Sequence, residues 1–91
     1  MSLHRHNPRR DANEAAIVQA LTDIGIIVRR VSGAGVPDLW TYQRQRRIWL
    51  PVEVKTPDGD LTPAQQALHE VAPFPVVQTV AEAVALFGVR D

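Results

Sequence analysis

Apolar positions recur along this chain first at helical spacing, then at strand spacing, and the changes of period predict seven elements. Ile17, Leu21 and Ile24 recur every three or four residues up to Gly25, and Asp11 with Glu14 three positions on has the form of a capping box, so the spacing predicts a helix over residues 12–24. Residues 26–31 are β-branched and apolar apart from Arg29 and Arg30, which predicts a strand; Gly33, Ala34, Gly35 and Pro37 then punctuate the chain. Residues 38–42 and 48–55 are rich in Val, Ile, Trp and Tyr and flank the polar stretch Gln43-Arg44-Gln45-Arg46-Arg47, the pattern of a β-hairpin with an arginine-bearing tip. Pro57, Asp58, Gly59 and Asp60 make a turn, after which Thr62 as N-cap, Pro63 at the first helical position and Gln65 at the third predict a helix to about Val71. Pro73 and Pro75 stop it, residues 76–78 form a short strand, and Thr79 with Glu82 opens a last helix carrying Val80, Val84 and Phe87 before Gly88. The expected fold is α/β, a small mixed β-sheet flanked by helices in the order α-β-β-β-α-β-α. Residues 1–10 have no periodic apolar pattern and are expected to be a flexible basic arm, with residues 11–91 forming one domain.

Composition narrows the class. With 91 residues the core is small, so a second copy covering an exposed face is expected and a homodimer is the natural assembly. The absence of cysteine excludes disulfides, thiolate zinc sites and cysteine nucleophiles, leaving the cytoplasm as the default compartment. No apolar run approaches the roughly 20 residues of a membrane span, and the polar first ten residues lack the apolar stretch of a signal peptide. The formal net charge of zero conceals an asymmetry, because residues 1–47 hold eight arginines against four acids and residues 48–91 hold two bases against six acids. Lys55 is the only lysine.

That lysine sits in the most informative stretch, Pro51-Val52-Glu53-Val54-Lys55. The two-residue period of a strand puts Ile48, Leu50, Val52 and Val54 on one face and Glu53 with Lys55 on the other, their Cα atoms about 7 Å apart. Hairpin pairing brings Asp38, at the start of the preceding strand and just after Gly35-Val36-Pro37, beside Glu53. Two converging carboxylates repel and raise each other's pKa unless a cation lies between them, and their oxygen donors match Mg²⁺ or Mn²⁺. Such an ion polarises a phosphodiester and acidifies a bound water, while Lys55 can orient that water or offset the transition-state charge.

Pro37-Asp38 followed by Glu53-x-Lys55 is the pattern of the PD-(D/E)xK nuclease superfamily, and the flanking residues resemble a VRR-NUC domain. The resemblance covers almost the whole chain from Glu14: an acid in the first helix, Gly35-Val36-Pro37-Asp38-Leu39, Val52-Glu53-Val54-Lys55-Thr56, a Gly59-x-Leu61 turn and Thr62-Pro63-Ala64-Gln65 opening a helix. It implies a restriction-endonuclease-like core in which Asp38, Glu53 and the Val54 carbonyl hold the metal, Lys55 assists the attacking water, and Glu14 and Gln65 are accessory active-site residues. It further implies a divalent-metal-dependent DNA endonuclease for replication, repair or recombination, with short stand-alone members of viral type acting as homodimers on branched DNA such as four-way junctions.

Each candidate also has a plainer role. Glu53 and Lys55 can form an exposed ion pair on an edge strand; Asp38 can cap a turn; Glu14 and Gln65 can complete capping boxes. Arg5, Arg9, Arg10, Arg29, Arg30, Arg44, Arg46 and Arg47 are candidates for bidentate phosphate contacts, with a solvated hairpin tip as the bland alternative. Trp40, Tyr42 and Trp49 are expected in the core or in dimer contacts rather than as base-stacking platforms. His4 and His6 lack a third ligand, and His69 is expected at the surface.

Overall fold

The computed structural model describes residues 8–88. Its elements are α1 (Pro8–Asp23), β1 (Ile27–Arg30), β2 (Leu39–Gln43), β3 (Ile48–Val54), α2 (Pro63–Val71), β4 (Val76–Val77) and α3 (Val80–Leu86), in the α-β-β-β-α-β-α order that the sequence predicts. One four-stranded sheet runs β1-β2-β3-β4; the first three strands are antiparallel neighbours and β4 is parallel to β3.

Helix α1 starts at Pro8, earlier than the periodicity predicts, so residues 8–10 of the expected arm are helical and Asp11 is an interior residue rather than a cap. Proline's fixed φ and missing N–H suit a first helical position, and this was the overlooked start signal. At the other end the Gly25 N–H donates to the Thr22 carbonyl at 3.0 Å and the Ile26 N–H to the Leu21 carbonyl at 3.0 Å, with Gly25 at φ 91°. That pair of bonds is a Schellman motif, and its usual apolar contact is present because Leu21 and Ile26 are both buried in the core. Ile24, expected to face inward, is exposed, since the motif ends the helix at Asp23 and turns the next residue out.

The core lies between one sheet face and helices α1 and α3: Ile17, Leu21, Ile26, Leu39, Val52, Val54, Val77, Ala83 and Phe87. In α3 the inward residue is Ala83, while Val80 in the first turn is exposed. Strand β3 changes character along its length. Its first half has only β2 beside it and is exposed at Ile48 and Trp49, whereas Glu53 and Val54 are also flanked by β4, and residues 52–55 are all buried. The Glu53 and Lys55 N–H groups donate to the carbonyls of Pro75 and Val77, both at 3.0 Å, which closes the β3-α2-β4 crossover. Among the described residues no helix is long and apolar enough to cross a membrane.

Residues 44–47 close the β2-β3 hairpin, the Arg47 N–H donating to the Gln43 carbonyl at 2.8 Å. Arg47 has φ 56°, the one non-glycine residue in the left-handed region among those described. Because a Cβ there is disfavoured by roughly 1–2 kcal/mol and glycine's greater unfolded freedom offsets part of the gain, Arg47→Gly should stabilise the fold by about 1 kcal/mol, a melting midpoint some 4–8 °C higher by calorimetry. A lower midpoint would mean that the guanidinium makes a stabilising contact outweighing the backbone strain.

Candidate active site

The loop from residue 31 to residue 38 delivers Asp38 to the sheet. Its carbonyl accepts the Val31 N–H at 2.9 Å, and Gly35 (φ 78°) runs so close to the first turn of α2 that a Cβ there would stand 3.1 Å from the Ala64 carbonyl oxygen. Glycine is therefore required at this approach on two counts, backbone sign and space. The loop, the α2 N-terminus and the ends of β2 and β3 thus meet at one end of the sheet, around a cleft of about 380 Å³ lined by Gly33, Gly35, Asp38, Thr62 and Gln65.

Glu53 is the centre of this meeting point. Its side chain is fully buried, and both carboxylate oxygens are engaged: Oε1 accepts the Asp38 N–H at 3.1 Å, and Oε2 accepts the Gln65 side-chain amide at 2.8 Å and lies 3.3 Å from Lys55 Nζ. Asp38 Oδ2 accepts the Val54 N–H at 3.1 Å. In a strand the N–H and C=O of a residue point to the same edge, so the Val54 carbonyl also faces the Asp38 side. Burial raises the Glu53 pKa above its ordinary 4.5, the neighbouring Asp38 charge raises it further, and Lys55 works in the opposite direction.

The plain reading of Glu53 and Lys55 as an exposed pair on an edge strand does not hold, since the two side chains are 0% and 9% exposed and the strand is flanked on both sides at this point. A buried ion pair is poor value as a stabiliser, because desolvation offsets the attraction, and such perturbed clusters concentrate at functional sites. Gln65 completes the expected capping box and also reaches Glu53. Its N–H and Oε1 complete the capping box with Thr62 at 3.2 and 2.9 Å, which leaves the side-chain amide free to donate to Glu53.

Glu14, on α1, forms an ion pair with Arg30 Nε at 3.3 Å and is 16% exposed. The pair joins α1 to the last residue of β1, so Arg30 is engaged by protein while remaining half-exposed. Arg29 is exposed and donates to the Val28 carbonyl at 2.9 Å. Arg44, Arg46 and Arg47 are exposed at the hairpin tip, five residues of β2 from Asp38 or about 17 Å, and are not brought to the carboxylates. Arg5, His4 and His6 lie outside the described residues, as do the side chains of Arg9 and Arg10. His69 is half-buried, its ring edge-on to Phe74 at 4.8 Å between centroids, and not a free surface residue. Trp40 and Trp49 are exposed, 39% and 55%, rather than in the core.

One residue of the site escaped the sequence reading. Asn13 Nδ2 donates to the Lys55 carbonyl at 3.2 Å, tying α1 to the strand end that carries the lysine. A lone asparagine early in a helix gives no pattern that would single it out.

A divalent cation fits this donor set. The two neighbouring carboxylates and a backbone carbonyl on the same edge are hard oxygen donors, the kind such a cation takes. Among the described residues no group of three His, Cys, Asp or Glu side chains is placed to hold an ion, so a bound cation would rely on the Val54 carbonyl and water beside Asp38 and Glu53. Comparison with protein-family models, with curated proteins and with solved structures gives no match.

Two measurements follow from the geometry. With its pKa raised, Glu53 binds a proton more tightly in the folded than in the unfolded chain, so its contribution to stability falls as pH rises from 4.5 through the raised value. Carboxyl NMR should show Glu53 titrating above 4.5, and Asp38→Asn should move it back toward 4.5; an unmoved titration would leave the two carboxyls uncoupled. Asn13→Ala, which removes the bond to the Lys55 carbonyl, should cost about 0.5–1.5 kcal/mol in denaturant unfolding. No change in the midpoint would show that the bond contributes nothing.

Proposed function

We propose that this chain is a Mg²⁺- or Mn²⁺-dependent, structure-selective DNA endonuclease that hydrolyses phosphodiester bonds, with branched DNA such as four-way junctions as its substrate and a homodimer as its working form. The observation that carries the reading is the convergence of half-buried Asp38, just before β2, with buried Glu53 in β3 and buried Lys55 just after it. The resemblance to a VRR-NUC domain supports the same reading at Asp38, Glu53, Lys55 and Gln65, whereas Glu14 pairs with Arg30.

Asp38, Glu53 and the Val54 carbonyl would hold the cation, which when bound supplies charge neutralisation at the phosphoryl oxygens and a water of lowered pKa. The chain's own groups do the rest. Gln65 and the Asp38 N–H fix the Glu53 carboxylate, so its orientation does not have to be found on substrate binding. Lys55, held at 3.3 Å from Glu53, offers an ammonium that can orient the attacking water and offset charge on the phosphorane. The cleft beside Asp38 gives a scissile phosphate its approach. Two copies would place two such centres on opposed strands of a symmetric junction.

Incubating labelled duplex, flap and four-way-junction DNA with the protein should give cleavage of the branched substrates that requires Mg²⁺ or Mn²⁺, and Asp38→Ala and Lys55→Ala should each lower it by about 10²–10³-fold. Binding without cutting would select a catalytically silent module, and cutting of plain duplex at one sequence a restriction-type enzyme. Branched-DNA cleavage that persists in both variants would place the chemistry elsewhere.

A further inference from the structure

We infer that the sheet face opposite the core is a binding platform for single-stranded DNA, on which unpaired bases stack against Trp40, Tyr42 and Trp49. The register places these residues together. Arg29 pairs with Trp40, Trp40 with Pro51, Ile27 with Tyr42 and Tyr42 with Trp49, so Ile27, Arg29, Trp40, Tyr42, Trp49 and Pro51 share one face while Leu39 and Val52 point into the core on the other. The three rings form a connected cluster. Tyr42 and Trp49 are 4.8 Å apart between centroids at a tilt of 48°, and Trp40 meets Trp49 edge-on at 6.3 Å. Trp49 keeps 55% of its surface in contact with solvent and Trp40 39%, which is expensive for the two largest apolar side chains of a small domain.

Charge selects the occupant. The face between Ile27 and Pro51 carries Arg29 and no acid, and the hairpin that ends it carries Arg44, Arg46 and Arg47 with no acid among residues 43–47. Aromatic rings beside Arg29 and ahead of a basic hairpin tip, where Arg46 reaches toward Gly88, match an unpaired polynucleotide, which offers base faces for the rings and phosphates for the arginines; a duplex hides its base faces. Continuity points the same way. Asp38 and Glu53 lie on this same face by the two-residue period, so a strand leaving the candidate active site toward the arginine tip crosses the aromatic rings within about 17 Å, room for about five stacked nucleotides at 3.4 Å each. The inference rests on the nuclease reading only for this continuity.

The chain supplies its own probe, since Trp40 and Trp49 are its only tryptophans and both lie on the face in question. Titrating the full chain with a short oligothymidylate in EDTA, where no cleavage intervenes, should quench tryptophan fluorescence and shield the rings from acrylamide. Trp49→Ala should weaken binding by about 5- to 150-fold, with Trp49→Phe recovering part of the loss. Replacing Arg44, Arg46 and Arg47 together by Gln should lessen the slope of log affinity against log salt by about 2. Binding that leaves the tryptophans unquenched, or that survives Trp49→Ala in a protein of unchanged circular dichroism, overturns the inference. So does a fluorescence change that depends on protein concentration alone, which would assign the face to a second copy. Because the metal-free titration reads no cleavage, failure of the endonuclease reading leaves its outcome distinct.

Discussion

A carboxylate with no exposed surface has to be held by donors, and the way Glu53 is held organises this end of the sheet. Its partners come from four places in the chain: the Asp38 N–H at the start of β2, Lys55 just past the end of β3, the Gln65 amide in the first turn of α2 and, one step removed, Asn13 of α1 behind the Lys55 carbonyl. A shift of the start of β2, the end of β3 or α2 relative to the others would unpair that group. The cost of burying it is spread over the fold, and its raised pKa is the residue of that cost which Lys55 does not cancel.

Much of this was legible in the sequence, and for identifiable reasons. The order of elements follows from changes in apolar period, and Thr62-Pro63-Ala64-Gln65 gives the start of α2 to the residue, because capping chemistry leaves a local mark. The pairing of Asp38 with the Glu53 region follows from hairpin register. What was not legible depends on contacts far apart in the chain. The two-sided burial of Glu53 and Lys55 requires β4, only two residues long, to add on the far edge of β3. Trp40 and Trp49 look like core residues by composition, and only the one-sided packing of α1 and α3 leaves their face open. The Glu14–Arg30 pair joins two candidates that the linear pattern kept apart.

The sheet therefore has two unlike ends. At one, β3 lies between β2 and β4, and polar groups are buried and satisfied; at the other, β3 is an edge strand and the β2-β3 hairpin carries an exposed tip with three arginines and one strained backbone position. The first end holds its groups in fixed positions, and the second presents its charge to solvent. The division of labour is built from a single strand that is central for half its length and peripheral for the rest.

The double duty of Gln65 narrows what evolution can try at that position. Glutamate is the usual alternative at the third residue of a capping box and would keep the helix start intact, yet it would exchange the amide donor for a third negative charge against Glu53. Interchange of the two residues, ordinarily among the mildest on a helix surface, is closed off here by a neighbour twelve positions away.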